Sequence, residues 1–299
     1  MNATAAPRIG YHGPPTSTLD WCEENYQFSY YIAEMANSVS NIATVGIAGY
    51  GAYLSTKERR GRCIGLGDLL LPDLSDPPRF MLGYLGICLV GLGSFYFHAT
   101  LLYHAQLADE LPMIYVTTLA IWLLFDQDPG FHLFKTARSR MLCALTVSFN
   151  VLFTWTYYLN RNPIYHQVVF AALLLTIAFR IYYLLAWSKV GKRVPAEKRR
   201  EVATMFGSGV VQFVSAFVIW NLDTIFCDTI TEWKVALGWP TAFLLEGHSW
   251  WHILTATGTY MKFVGLQYLA LCLKDDPQHF ALGSKYGLPY IKRLSKKVD

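Results

Sequence analysis

The apolar residues of this chain are gathered into seven long blocks, at about 32–54, 80–99, 108–126, 141–159, 166–187, 205–226 and 249–273. A helix needs about 20 mostly apolar residues to cross the hydrocarbon core of a bilayer. Every block is close to that length, and two of them, 80–99 and 141–159, contain no Asp, Glu, Lys or Arg. Composition agrees with this reading. The chain of 299 residues is 53% hydrophobic and 15% charged, against roughly 25% charged in an ordinary soluble chain. The expected fold is an all-α membrane protein with seven transmembrane helices over 32–273. A polar segment, 1–31, precedes them and a basic tail, 274–299, follows.

The polar first 30 residues show no charged-then-apolar leader, so the first block is expected to serve as its own insertion signal. Lys and Arg then set the orientation. Arg8, Arg161 and Lys234 fall on the N-terminal side of the membrane, three in all, and twenty fall on the other side. That asymmetry predicts a lumenal N-terminus and a cytosolic C-terminus. It also accounts for the net charge of +4 without a nucleic-acid partner, because the basic residues are juxtamembrane. Lys296 and Lys297 stand three and four places from the C-terminus, as in a dilysine retrieval signal. They predict residence in the endoplasmic reticulum or Golgi, by a receptor-read address rather than an anchor.

Of the six cysteines, only Cys22 and Cys227 fall on the lumenal side, where disulfides form. They are expected to pair. Cys63, Cys88, Cys143 and Cys272 fall in cytosolic or membrane segments. Asn2-Ala3-Thr4 is a glycosylation sequon, with poor use expected so near the terminus.

Ionisable residues within apolar spans are functional candidates. The sharpest motif is His248-Ser249-Trp250-Trp251-His252. Side chains four apart stack on one helix face, where two imidazoles share a metal ion in other metalloenzymes. Topology adds His98, at the end of the second block and at the same predicted depth. Three protein ligands and an open water position are the usual arrangement of catalytic zinc. Ser94 lies one turn before His98 and Asp109 opens the third block, on the same side. A carboxylate there suits proton transfer, so Asp109 is the expected general base and acid. Ser94 is the expected donor to a developing oxyanion. Ser94 bonding its own helix backbone and Asp109 capping a helix that starts at Asp109-Glu110-Leu111-Pro112 are the plainer alternatives. His104 is a rival ligand, His166 is expected to cap or pack, and Asp223 stays undecided between a structural role and lining the site.

A second cluster, Asp20-Trp21-Cys22-Glu23-Glu24-Asn25 followed by Glu34, offers oxygen atoms suited to calcium. Its spacing is not that of an EF-hand loop, and solvated acids before a membrane are the plain alternative.

Four stretches together resemble the alkaline ceramidases: Gly13 to Tyr26 with Tyr31-Ile32-Ala33-Glu34; Gly93-Ser94 through His98; Asp109-Glu110-Leu111-Pro112-Met113-Ile114-Tyr115; and Trp250-Trp251-His252-Ile253-Leu254-Thr255. The likeness runs from about residue 10 to about 275. It implies hydrolysis of the amide of ceramide, phytoceramide or dihydroceramide to a sphingoid base and a fatty acid. It places zinc on His98, His248 and His252, with Asp109 and Ser94 beside it, near the lumenal side. It places calcium on Asp20, Trp21 through its backbone carbonyl, Glu23, Asn25 and Glu34. Leu102, His104 and Ala108 depart from the family pattern, and none is an implied ligand. The Ser, His, Asp and HxxxH elements alone also fit adiponectin-receptor-like hydrolases. A seven-helix lipid receptor, or a membrane hydrolase of another lipid, is therefore the alternative.

Overall fold

The computed structural model describes residues 8–57, 78–130, 134 and 136–294. Asn2, Cys63, Lys296 and Lys297 lie outside the described residues. All seven apolar blocks form helices: α1 Met35–Lys57, α2 Pro78–Thr100, α3 Tyr103–Phe125, α4 Ala137–Asn160, α5 Pro163–Ala186, α6 Ala196–Ile225 and α8 Gly247–Lys274. A short helix, α7 (Cys227–Leu237), stands between α6 and α8.

Five of these helices, α2 to α6, are long and apolar enough to cross a membrane. They mark the chain as an integral membrane protein. The other two long helices, α1 and α8, fall short in hydropathy rather than length, because each carries a run of polar side chains. Asn37, Ser38, Ser40, Asn41 and Thr44 interrupt α1, and His248, Ser249, His252, Lys262 and Gln267 interrupt α8.

The helices start where the local chemistry satisfies free backbone N–H groups. The Thr136 hydroxyl accepts from the Ser139 N–H at 3.1 Å and opens α4. Asn162 accepts from the Ile164 N–H at 3.0 Å, and Pro163 at the first position of α5 gives up a donor that would have had no partner. α3 starts earlier than the sequence predicts. Pro112 lies inside the helix rather than at its first turn, and Asp109 is no N-cap. Pro112 lacks the N–H that would bond the Ala108 carbonyl. The backbone of α2 approaches α3 at that carbonyl, so closely that a Cβ on Gly93 would overlap it.

α8 packs against α6 and α1, and α2 against α1 and α3, while α4 and α5 pack on α3 from outside. The largest apolar core lies at the end where α3 and α5 finish and α6 begins, around Phe80, Leu123, Leu184, Met205 and Leu269. There Arg79 and Lys274 both pair with buried Asp126, joining α2, α8 and the end of α3.

The tail is where the all-α expectation is corrected. Strands β1 (Phe280–Lys285) and β2 (Leu288–Arg293) form an antiparallel hairpin. Its turn has positive φ at both Tyr286 (53°) and Gly287 (77°), the backbone of a tight two-residue hairpin. Phe280 and Ile291 anchor it in the apolar core, and the Tyr260 hydroxyl of α8 donates to the Pro289 carbonyl at 2.7 Å. A tyrosine in place of the usual Asn or Asp hides this turn from a sequence reading.

Candidate metal centre

The end of the bundle opposite that core gathers the polar residues. His98 comes from the last turn of α2, and His248 and His252 from the first two turns of α8. One ligand atom from each lies within 4.8 Å of the others, and all three side chains are buried. Among the described residues this is the one group of three or more His, Cys, Asp or Glu side chains so placed. The His98 and His252 ring centroids are 4.8 Å apart, and those of His248 and His252 are 4.6 Å apart.

The outer nitrogens of His98 and His252 are fixed by hydrogen bonds. His98 Nδ1 donates to Glu34 Oε2 at 2.5 Å, which leaves Nε2 facing inward. His252 Nδ1 is 2.8 Å from the Ser40 hydroxyl, which itself donates to the Asn37 carbonyl. The His248 ring stacks on Trp21 at 3.7 Å between centroids. His98 Nε2 and His248 Nδ1 are buried with no hydrogen-bond partner among the described residues. Two orphaned imidazole nitrogens aimed at a third histidine fit a metal ion. Buried polar atoms otherwise find partners, and outer hydrogen bonds of this kind are what orient metal-binding histidines.

Ser94 and Asp109 stand at this centre. The Ser94 hydroxyl is 3.4 Å from His252 Nε2 and accepts from Asn41 Nδ2 at 3.0 Å. It is also a side-chain hydrogen-bond partner of Asp109. The Gly93 contact with α3 is what brings these two residues together. His104 is not part of the centre. It is exposed, and its Nε2 is 2.6 Å from the Tyr96 hydroxyl. His166 packs, as expected: it stacks with Phe170 and its Nε2 donates to the Glu110 carbonyl at 3.0 Å. Asp223 Oδ1 accepts from the Gly247 N–H at 3.1 Å and so caps the helix that carries His248.

Sequence reasoning missed Asn37, Ser40 and Asn41. Their signal was present: Glu34, Asn37, Asn41 and Thr44 repeat at helical spacing, a polar stripe on an apolar helix. Asn37 joins the parts. It donates from Nδ2 to Glu34 Oε2 at 3.2 Å and accepts from the Ser249 hydroxyl at 3.1 Å.

The acidic segment wraps over this centre. Cys22 and Cys227 form a disulfide, with Cα atoms 5.4 Å apart and 205 residues between them in sequence. Glu23 is buried, and its two oxygens accept from the Ala36 and Asn37 N–H groups at 2.6 and 2.8 Å, so it caps α1 across 13 residues. Burial pushes its carboxyl up to about 7, against the pull of those two N–H groups. Asp20 is exposed and accepts from the Trp21 N–H. Asp20, Glu23 and Glu34 do not close into a three-ligand group like that of the histidines. However, Asn25 Oδ1 and Glu34 Oε1 are buried acceptor oxygens without a donor among the described residues. Buried oxygens of this kind are the ligand type that a hard cation takes.

Comparison with known proteins bears on this arrangement. The profile of the Ceramidase family matches residues 13–292. Alkaline ceramidase 3 of Mus musculus is 33% identical over 268 residues, covering 88% of this chain and 87% of that one. Alkaline ceramidase YPC1 of Saccharomyces cerevisiae is 33% identical over 273 residues, covering 87% of this chain and 78% of that one. The alkaline ceramidase of Arabidopsis thaliana is 25% identical over 250 residues, covering 84% and 82%.

Proposed function

The chain belongs to the alkaline ceramidase family of enzymes, and from that premise we propose that it hydrolyses the amide bond of ceramide with a zinc ion held by His98, His248 and His252. The observation that carries the metal is the inward pair of unpartnered nitrogens, His98 Nε2 and His248 Nδ1. A zinc ion in this position supplies a Lewis acid and brings the pKa of water down to about 7. The protein does the rest. Glu34 and Ser40 hold the outer nitrogens of His98 and His252, so that the other nitrogen of each ring turns to the centre. Asp109 takes the proton of the attacking water and delivers it to the leaving nitrogen. Ser94 donates to the amide oxygen as charge develops there, an interaction worth most in a site that excludes water. Asn41 donates to the Ser94 oxygen, which keeps the serine proton on the donating side of the hydroxyl, shared with Asp109 until it turns to the substrate.

Calcium is the second proposed ion, on Asp20, the Trp21 carbonyl, Glu23, Asn25 and Glu34. Its support is the orphaned oxygens of Asn25 and Glu34. Glu34 then serves both ions, one oxygen on His98 and the other free for calcium. The wider frame is seven spans, with α1 and α8 counted as crossing because the polar residues Asn37, Ser40, Asn41, His248, Ser249 and His252 face this centre rather than lipid. The N-terminus and the zinc site lie on the lumenal side, a reading supported by the three-against-twenty split of Lys and Arg. Residence is in the endoplasmic reticulum or Golgi. Two long chains and a small amide head suit a centre set among apolar helices.

The test is release of fatty acid by purified protein in detergent or nanodiscs, from ceramide, phytoceramide, dihydroceramide and a phospholipid, with and without calcium. Metal content is measured by mass spectrometry. Hydrolysis of at least one ceramide, about one zinc per chain, and loss of both in His252→Ala are the expected results. Turnover of the phospholipid alone, or full activity in metal-free His252→Ala, would overturn the reading.

A further inference from the structure

Helix α7 is built inside out for a helix in water. Its buried residue is Lys234, only 5% exposed, while Trp233 and Leu237 are 56% and 54% exposed. At 100° per residue, Ile230, Trp233 and Leu237 form one apolar stripe along the helix, and Asp228 and Glu232 form the polar flank across from it. Val235 is also exposed but falls on the polar flank, so it is no part of the stripe.

The lysine is buried because it has two partners. Its ammonium donates to Glu246 Oε2 at 2.7 Å and to the Cys22 carbonyl at 3.2 Å. Cys22 is bonded to Cys227, the first residue of α7, and Glu246 immediately precedes α8. This helix is therefore fixed in rotation by a disulfide and an ion pair, with Trp233 and Leu237 held outward and Ile230 half-buried beside them.

The chain says what lies outside. α6 carries an exposed apolar line, Val211, Val214, Val218, Leu222 and Ile225, at the spacing of one helix face. That line ends at Ile225, two residues before α7 begins, so α7 starts at the depth where the lipid-facing surface of α6 stops. Trp is the side chain favoured at that depth. The stripe spans eight residues, a rise of about 10 Å along the helix. Such a strip is far too small for a stable protein interface of about 1,000 Å² or more, yet ample for a helix lying in a membrane interface.

We propose that α7 is an interfacial helix. Its Ile230-Trp233-Leu237 stripe rests in the leaflet on the histidine side, and its Asp228-Glu232 flank faces water. The Lys234–Glu246 pair fastens this seat to the start of α8, so the lipid surface and the helix carrying His248 are held in register. The inference uses the membrane helices alone and does not depend on which bond the centre cleaves.

The experiment places a nitroxide at Leu237→Cys or at Glu232→Cys in full-length protein lacking Cys63, Cys88, Cys143 and Cys272, with the disulfide kept. The protein is reconstituted in phosphatidylcholine nanodiscs. Power saturation should show the label at 237 relaxed more by oxygen and the label at 232 more by a water-soluble nickel chelate. Two labels equally open to nickel would overturn the proposal. So would a label at 237 shielded from both reagents, the mark of a protein partner. Trp233→Phe in the otherwise native chain gives an independent reading. Quenching of tryptophan fluorescence by brominated phosphatidylcholine should fall relative to the parent, and unchanged quenching counts against the seat.

Discussion

Helices α1 and α8 differ from α4 and α5 in the property that hydropathy measures. α4 and α5 are peripheral, and most of their apolar side chains, such as Val151, Trp155 and Phe179, point away from the protein. Both are long and apolar enough to cross a membrane by composition alone. α1 and α8 touch each other and fall short in apolar content, in large part because polar residues such as Asn37, Ser40, Asn41, His248 and His252 build the centre. In this chain the clearest membrane signal marks the helices with least to do with the chemistry. A weakened signal marks those with most. The reason is physical: a polar group inside a span costs several kcal/mol unless it is paired, so it persists where neighbours or a ligand satisfy it.

The comparison can be broken by substitution. Asp109→Asn keeps shape and removes the proton acceptor, so kcat should fall by about 10²–10⁴-fold, while zinc content stays at the parent level. Loss of the metal along with the rate would instead give Asp109 a ligand's role. Gly93→Ala tests whether the closeness of α2 and α3 matters. Its methyl would overlap the Ala108 carbonyl and separate Ser94 from Asp109. Displacement of catalytic groups by about 1 Å costs about 10²-fold, and a steady-state rate equal to the parent's would show that the helices yield freely.

Smaller effects sharpen the contrast. Asn41→Ala removes a donor shared by Ser94 and His252, and zinc affinity by competition with a chelator should weaken about 10–100-fold, as for other residues behind a metal ligand. An unchanged affinity would confine Asn41 to packing. On the periphery, Val151→Ala on α4 should change stability by no more than about 0.5 kcal/mol and leave hydrolysis as it was. A large loss in thermal stability there would mean that the exposed face of α4 is covered by something other than lipid.

Much of this was legible in the sequence. The seven blocks became seven helices because apolar length is a local property. The histidines were legible because HxxxH needs only helical spacing, and because the Lys and Arg count put His98 at the same depth. The disulfide was legible by compartment. Other features depended on contacts distant in sequence. Glu23 caps α1 from 13 residues upstream, and Asp223 caps α8 from 24 residues upstream. The start of α3 at Tyr103 rather than near Asp109 reflects the packing of Gly93 over a carbonyl freed by Pro112, which no propensity scale contains.

The sequence by itself determined that this chain is a bundle of membrane helices, which residues are fit to hold a metal, and which family it resembles. These follow from composition, period and motif, each readable within a few turns of helix. Only the tertiary structure decided which nitrogen of each histidine is free, that Glu34 backs His98, that His104 stands aside, and that α7 hides a lysine and shows a tryptophan. Those outcomes rest on hydrogen bonds between residues up to 212 apart, such as Ser40 with His252. A polar atom in a dry interior takes whichever partner the folded backbone brings within 3 Å or so.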